Sequence, residues 1–242
     1  MDGAMTGNPP RDAEAAKMRA VAQFYADLVF PSRGSHPAYA RLAQAPAGAR
    51  VGDFGCGPSL FRPAWRDHHP EPTYLDRSLP ALRTLEGCAR VCADLGQLPL
   101  GNATFDRILC IGVMHHLPIR APIWRELHRV LRPGATLIVG VYAPGTLQAR
   151  LRLAHASTRS KWTRRAITWS MAMMLRARYA AAGRPLPAAA IQARTRDFLE
   201  VPHVEYRPLA HFAAEAAAAG LVLSAHERIA GMNLLFLGKP LS

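Results

Sequence analysis

The stretch "VGDFGCGPSLF", from Val51 to Phe61, constrains the fold of this chain more than any other. A short apolar strand runs into a turn that has glycine at Gly55 and Gly57, and only small residues tolerate so sharp a bend. A turn of this kind at the start of a helix also lets a ligand approach the backbone closely. The segment therefore predicts a strand, a turn and a helix, with a ligand site at the turn.

The remainder of the chain alternates short apolar strands with helices. Strands are predicted at "RVGDF", "PTYLD", "ARVCAD", "FDRILCIGV", "ATLIVGVYA", "LVLSAHERI" and "MNLLFLGKP". The clearest helix, "APIWRELHRVL", has apolar residues at helical spacing and is followed by a proline and a glycine. Another helix is predicted from about Asp12 to Val29. Such alternation indicates βαβ units and a mostly parallel sheet.

Acidic residues at the predicted strand ends distinguish between two ligand classes. Dinucleotide sites use Gly-x-Gly-x-x-Gly, but the third glycine position holds Leu60 here, which favours the other class, S-adenosylmethionine. Asp76 ends the second strand, where a carboxylate accepts hydrogen bonds from ribose hydroxyls. Asp94 ends the third strand, where it can accept from an adenine amino group. Asp53 lies below the turn, and if buried it needs a partner, either turn N–H groups or the amino group of the ligand.

The run from Val51 to Val141 resembles the class I S-adenosylmethionine-dependent methyltransferases, in the branch called type 11. "VGDFGCGPS" is similar to the first motif of that family, and "YLDRS" matches its ribose acid. "ADLGQLPLGNATFDRILCIGVMHHLP" matches its middle section, and "ELHRVLRPGATLIV" matches the following helix and strand. The resemblance implies an α/β, Rossmann-like, doubly wound sheet of seven mostly parallel strands in the order 3-2-1-4-5-7-6, with the last strand antiparallel.

The same resemblance implies which residues hold the cofactor, S-adenosylmethionine, whose product is S-adenosylhomocysteine. The expected principal contacts are Gly55, Gly57, Asp76, Asp94 and Leu95. Behind them stand Asp53, Arg77 and Cys110, and Tyr25 is similar to a tyrosine that closes over the cofactor in relatives. No metal is expected, because no carboxylate cluster accompanies the predicted sheet edge.

His115 and His116 follow the fourth strand, at the edge where open α/β sheets bind ligands. Methyl transfer from a sulfonium needs alignment more than acid catalysis, and a base matters only if the acceptor arrives protonated. A histidine at this edge can take that proton near neutral pH. The alternative is that one histidine packs against or caps the next helix.

A basic segment interrupts the βα alternation between Pro144 and about Asp197, where helical stretches are predicted without a strand. The chain has a formal net charge of +13, and no acidic residue occurs between Glu126 and Asp197. The favoured interpretation is a lid over a small-molecule acceptor. One alternative is a nucleic-acid surface, since the overall pattern, including the late "HERIAGMNLLFLGK", resembles tRNA wobble-uridine methyltransferases. A second is an anionic membrane surface with a lipid or quinone acceptor. The remaining alternatives are a protein acceptor and a chain that binds cofactor without catalysis.

We therefore expect residues 1–40 to form a segment whose helix covers the cofactor site, and residues 41–242 to form the methyltransferase domain with a helical lid at about 145–196. The N-terminus lacks the layout of a signal peptide, and the four cysteines form no C-x-x-C pair. A cytoplasmic protein with reduced thiols is expected. The oligomeric state is left open.

Overall fold

The protein is described by a computed structural model over residues 13, 16–21, 23–24, 42, 45–57, 59, 72–181, 183, 185–229 and 231–241. Within this part of the chain, one sheet has seven strands in the order 3-2-1-4-5-7-6. The strands are β1 Val51–Phe54, β2 Thr73–Asp76, β3 Arg90–Cys92, β4 Phe105–Ile111, β5 Leu131–Tyr142, β6 Val222–Ile229 and β7 Met232–Gly238.

The first five strands are parallel, and β7 runs antiparallel to both of its neighbours, β5 and β6. The expected order and the antiparallel last strand are confirmed. A short reversal that includes Gly231, with φ +86°, separates β6 from β7, and this left-handed conformation suits glycine. This short reversal brings β7 back antiparallel to β6. The other side of β7 pairs with β5.

From residue 45 onward, the described chain also contains six α-helices and one short 3₁₀ turn. The helices are α1 Leu79–Arg83, α2 Ala121–Val130, α3 Leu147–Ser157, α4 Lys161–Ala181, α5 Ala188–Glu200 and α6 Leu209–Ala218, and the turn is Met114–His116. Helix α2 forms where the sequence predicted it, because Ile123, Trp124, Leu127 and Val130 recur on one face and are buried. The described residues of the predicted N-terminal helix, 13, 16–21 and 23–24, are helical.

Side chains of the central strands alternate between two hydrophobic cores, one on each face of the sheet. On β5, Leu137 and Val139 enter the core that contains Trp124 and Phe212, whereas Ile138 enters the core that contains Leu82. This period of two is the pattern of a strand covered on both faces. The sheet is therefore a rigid platform whose carboxyl edge can hold a site.

The segment between β5 and α6 has a small core of its own. Helices α3, α4 and α5 surround a cluster that includes Ile167, Met171, Leu175, Ile191 and Leu199. The segment is helical as expected, and its last helix, α5, ends at Glu200.

Two further features concern the chain as a whole. Cys56, Cys88, Cys92 and Cys110 are free thiols, as expected. Among the described residues, none of the helices combines the length and apolar character that crossing a membrane requires.

Candidate active site

The carboxyl ends of the parallel strands bring the predicted cofactor residues to one edge of the sheet. The chain order reverses between β1 and β4, because β2 and β3 lie on one side of β1 while β4 and β5 lie on the other. Open α/β sheets bind ligands at such a switch point. The turn after β1 and the residues that end β2 and β3 all lie there.

The turn after β1 depends on its two glycines. The Gly55 and Cys56 N–H groups both donate to the Leu75 carbonyl oxygen, at 2.7 and 3.1 Å. Gly55 has φ +68°, and a Cβ at that position would lie 2.4 Å from a methyl of Val113, so no other residue fits. Gly57 has φ +53°, and a Cβ there would meet no described atom within 4 Å. None of the described residues therefore blocks a ligand that approaches the backbone at Gly57.

Asp76 joins this turn to the start of α1. One carboxylate oxygen accepts the Gly57 N–H at 2.7 Å, and the other accepts the Ser78 N–H at 2.7 Å. Burial raises the pKa of Asp76, and the backbone N–H groups oppose that rise. A carboxylate has about four lone-pair positions, so two remain for ligand hydroxyls. These two acceptor positions fit the ribose hydroxyls of S-adenosylmethionine.

Asp53 is buried beneath the turn, with 3% of its surface exposed. Its carboxylate accepts a hydrogen bond from the Ser59 hydroxyl at 2.8 Å. Burial, and to a smaller extent the charge of Asp76, raises the pKa of Asp53 to about 7, although the Ser59 bond lowers it. The sequence suggested turn N–H groups or a ligand as partners, and it did not identify Ser59. That residue has φ +43°, a conformation in which its hydroxyl meets Asp53.

Asp94 and Arg77 form an ion pair at the ends of β3 and β2. The Arg77 guanidinium donates to one Asp94 oxygen at 3.0 Å, and the Gly96 N–H donates to the other at 2.8 Å. Both side chains are about half exposed, so the pair itself contributes little to stability. An open depression of about 380 Å³ lies beside Asp94 and is lined by Ala93, Asp94, Gln97, Leu98 and Pro99.

Three other predicted cofactor residues lie further from open surface or outside the described chain. Leu95 is buried in the core that contains Trp124. Cys110 is fully buried in β4, and burial raises the pKa of its thiol. Tyr25 lies outside the described residues.

His115 and His116 form the 3₁₀ turn after β4, and both are buried. The Tyr142 N–H donates to His115 Nδ1 at 3.4 Å, whereas His115 Nε2 has no hydrogen-bond partner among the described residues. The His116 ring nitrogen Nδ1 lies 3.1 Å from the His203 carbonyl oxygen, to which it can donate. A buried ring nitrogen without a partner is costly, so Nε2 of His115 is suited to a ligand.

Burial lowers the pKa of both histidines, with His116 reaching about 3 and His115 falling well below its usual range. The hydrogen bond to His203 opposes this effect at His116. Both imidazoles are therefore neutral at neutral pH. A side chain with so low a pKa is a weak base, which favours hydrogen bonding over proton transfer.

Aromatic rings surround the histidine pair on the side of the helical segment. The Tyr142 ring lies 3.9 Å from His115, 5.5 Å from Phe198 and 6.1 Å from Tyr206, measured between ring centroids. We call His115, His116, Tyr142, Phe198 and Tyr206 the aromatic cluster. Sequence reasoning missed its last three members. The position of Tyr142 at the end of β5 could have indicated it, but Phe198 and Tyr206 belong to no motif.

A buried arginine, also missed from the sequence, connects this region to α6. Arg120 donates two hydrogen bonds to Glu215, each 2.7 Å long, and one to Glu205 at 3.1 Å. The Trp124 indole also donates to Glu215, at 3.0 Å. Because the Glu205 N–H donates to the His115 carbonyl oxygen at 2.8 Å, this network fixes the chain beside the aromatic cluster.

The N-terminal helix is electrostatically coupled to the same region. Burial is the main cause that lowers the pKa of His203, whose carbonyl oxygen faces His116, and the charge of Lys17 lowers this pKa further. Val21, one turn further along, is buried. The described part of this helix thus lies close enough to influence the histidine side of the site.

Comparison with known proteins agrees with this geometry. The family described as "Methyltransferase domain" matches residues 52–139. A malonyl-[acyl-carrier protein] O-methyltransferase of Pseudescherichia vulneris is 37% identical over 103 residues, which are 41% of this chain and 41% of the relative. A probable tRNA methyltransferase 9B of Homo sapiens is 30% identical over 105 residues, which are 42% of this chain and 23% of the relative.

Solved structures share this fold. The S-adenosylmethionine-dependent methyltransferase from Mesorhizobium loti superposes with a TM-score of 0.55 at 17% identity, over 83% of this chain and 96% of the other. This chain spans about two fifths of the length of the first curated relative, and less of the human one. The matched motifs and the strand order agree. Residues 52–139 of this chain therefore match a methyltransferase domain of the type 11 branch, within a sheet that has the strand order of the class I, S-adenosylmethionine-dependent methyltransferase fold.

Proposed function

We propose that this chain transfers a methyl group from S-adenosylmethionine to an oxygen, nitrogen or carbon atom of a small-molecule acceptor. The observation that carries the proposal is the edge shared by two sets of residues. The turn and the acids end β1, β2 and β3, and the aromatic cluster follows β4 and β5 on the same edge. A cofactor held by the first set has its acceptor beside the second.

Three carboxylates divide the recognition of the cofactor among themselves. Asp76 accepts from the ribose hydroxyls, Asp94 accepts from the adenine amino group, and Asp53 pairs with the cationic amino group of the methionyl part. The accessible backbone at Gly57 lets the ligand approach the turn. Leu95, Arg77 and Cys110 support these contacts.

When bound, S-adenosylmethionine would supply an electrophilic methyl group on its sulfonium, with a neutral thioether as the leaving group. The aromatic cluster holds a planar, partly apolar acceptor and excludes water. His115 Nε2, buried without a partner among the described residues, carries the ring proton because Nδ1 accepts the Tyr142 N–H, so it donates to the acceptor and sets its orientation. Alignment of this kind contributes several kcal/mol to a displacement.

Cofactor affinity is expected to depend on pH through Asp53. The pKa of about 7 in the free protein means that its carboxyl is protonated below pH 7, but only the ionised form pairs with the ligand cation. Binding is thus tightest above pH 7, and the Kd rises as pH falls, by up to about tenfold per unit. Calorimetry with S-adenosylhomocysteine at several pH values measures this.

The matched variant for this prediction is Asp53→Asn, which cannot ionise. Its Kd for S-adenosylhomocysteine is expected to be larger than that of the parent at pH 8 and to change little with pH. A parent protein whose Kd stays flat from about pH 5.5 to 8 would remove Asp53 from the binding of the cationic group.

His115→Phe is expected to lower kcat/KM by about 10- to 100-fold, because the ring still packs on Tyr142 but the ring nitrogens are lost. Binding of S-adenosylhomocysteine is expected to stay within about twofold, since no cofactor role is assigned to His115. The pH profile of kcat keeps its shape if His115 orients the acceptor, whereas loss of a basic limb identifies it as a base. His226→Phe, on exposed β6, is the control. Unchanged turnover in His115→Phe would contradict any role.

The function itself is tested in two steps on the purified chain. Calorimetry first measures binding of S-adenosylmethionine and S-adenosylhomocysteine, and mass spectrometry then follows methyl transfer to a panel of phenols, nitrogen heteroaromatics, malonyl thioesters and transfer RNA. Transfer to a small planar acceptor is the expected result. Binding without transfer to any member would indicate a chain that holds cofactor without catalysis.

RNA is the second candidate acceptor, since residues 127–196 contain no acid and a tRNA methyltransferase is among the relatives. RNA binding falls steeply as salt rises, because phosphate contacts release counterions. A binding constant for transfer RNA that stays flat between low and moderate salt would dismiss this candidate. The third candidate, a lipid or quinone acceptor, requires transfer that depends on added vesicles.

A further inference from the structure

Helix α4 is apolar on two opposite sides. One side, with Ile167, Met171 and Leu175, is buried in the core of the helical segment. The other side carries Trp162, Trp169 and Met173, which are 79%, 68% and 43% exposed. These three residues are seven and four positions apart, so they line up along the helix. We call them the Trp ridge.

The Trp ridge combines several exposed apolar side chains on one line of the helix, unlike a single exposed apolar residue. Two tryptophans and a methionine form one line, and the same side of the helix also carries Ala166, between the tryptophans, and Ala177, beyond Met173. A helix that is apolar on two sides can bury only one of them against its own domain, so the other side stays exposed. Exposed apolar surface of this size usually marks an interaction site.

Cations accompany the ridge, and acids do not. Helix α4 contains Lys161, Arg164, Arg165, Arg176 and Arg178, with no acidic residue. The Arg165 guanidinium carbon lies 5.8 Å from the centroid of the Trp162 ring, beside the ridge. An occupant of this face is therefore anionic where it meets the arginines and apolar where it meets the ridge.

We propose that the Trp ridge of α4 docks this protein on the surface of an anionic lipid bilayer. An interfacial helix lies parallel to the membrane plane, with Trp and other apolar side chains inserted to the headgroup level and basic residues among the lipid phosphates. Helix α4 has 21 residues and so extends for about 31 Å along that plane. Tryptophan in particular favours the boundary between headgroups and acyl chains.

The shape of this face fits lipid better than nucleic acid. Single-stranded nucleic acid binds in basic grooves where aromatic rings stack on successive bases. The ridge instead lies on the outer side of a helix, directly opposite its buried side. A methionine in line with the tryptophans adds apolar surface suited to acyl chains but supplies no ring to stack on a base.

The test uses the full chain and vesicles of phosphatidylcholine with about one third phosphatidylglycerol, with pure phosphatidylcholine vesicles for comparison. Co-sedimentation measures the partition coefficient. The variant Trp162→Ser/Trp169→Ser/Met173→Ser removes the ridge, and because all three side chains are exposed it is expected to fold. The control Val222→Ser/Leu241→Ser removes apolar surface exposed elsewhere, 56% and 78% respectively.

The parent and the control are expected to bind the anionic vesicles, and the ridge variant is expected to bind about tenfold or more weakly. Arg165→Gln/Arg176→Gln is expected to weaken binding to anionic vesicles and leave binding to neutral vesicles unchanged. Calorimetry with S-adenosylhomocysteine verifies that each variant is folded. The proposal is overturned if the parent fails to bind, if the ridge variant binds as well as the parent, or if removal of the ridge abolishes binding of a single-stranded RNA while vesicle binding is retained.

Discussion

Replacing Asp76 by asparagine is expected to weaken the binding of S-adenosylhomocysteine by about 100-fold. Both carboxylate oxygens already accept a backbone N–H, one from Gly57 and one from Ser78. The asparagine amide turns one of these oxygens into a donor that faces an N–H group. The turn shifts, and the ribose loses a charged acceptor, which together amount to about 3 kcal/mol.

Calorimetry measures this change, with Asp106→Asn as the matched control. Asp106 is also a carboxylate that accepts a backbone N–H, from Arg50, but it lies near the start of β4, at the opposite edge of the sheet. The control is expected to bind S-adenosylhomocysteine as the parent does. If Asp76→Asn and Asp106→Asn change the Kd equally little, Asp76 does not hold the ribose.

Arg120→Met is expected to lower the free energy of unfolding by about 3–5 kcal/mol. The Arg120 side chain is 6% exposed, and its removal leaves Glu205 and Glu215 partly buried with no guanidinium to balance their charge. The guanidinium also lies 5.2 Å from the Phe212 ring centroid, a contact that methionine only partly replaces. Urea unfolding monitored by circular dichroism gives the value.

Arg132→Met is the control for this prediction, because Arg132 pairs with Asp106 at the surface. It is expected to lower stability by about 1 kcal/mol or less. Adding Glu215→Gln to Arg120→Met is expected to restore part of the loss, since the unpaired charge is then removed. A loss in Arg120→Met no larger than in Arg132→Met would contradict a role for this network in stability.

The sheet was predictable because its pattern is local. Apolar runs of strand length separated by one clear amphipathic helix predicted the parallel strands, and the turn at Gly55 was readable from glycine spacing alone. The order of the strands came from the family resemblance and not from the pattern. The sequence predicted the end of the helical segment only as about residue 196, whereas α5 ends at Glu200, and Pro202 follows its C-cap residue Val201.

The positions of the acids were also predictable, since the carboxyl ends of parallel strands converge on one edge. Their partners were not. The contacts of Asp53 with Ser59 and of Arg120 with Glu215 depend on tertiary packing between residues with no fixed spacing. The neutral state of His115 and His116 could not be predicted either, because burial lowers the pKa of their imidazoles and burial is known only from the folded chain.

The aromatic cluster could not be predicted from the sequence for the same reason. Tyr142 ends β5, Phe198 lies on α5, and Tyr206 follows α5, so three separate elements contribute to one wall. Only the packing of the helical segment against the sheet brings them together. For this reason the sequence predicted a covering segment without predicting the surface that it presents to an acceptor.

A crystal structure of the chain with S-adenosylhomocysteine tests the central claim most directly. We expect the ribose hydroxyls to lie within hydrogen-bond distance of the Asp76 carboxylate and the adenine amino group to lie at Asp94. We also expect the sulfur to face a space bounded by His115 and Tyr142. A ligand bound away from the Gly55–Gly57 turn, or a ribose whose hydroxyls contact neither oxygen of Asp76, would contradict it.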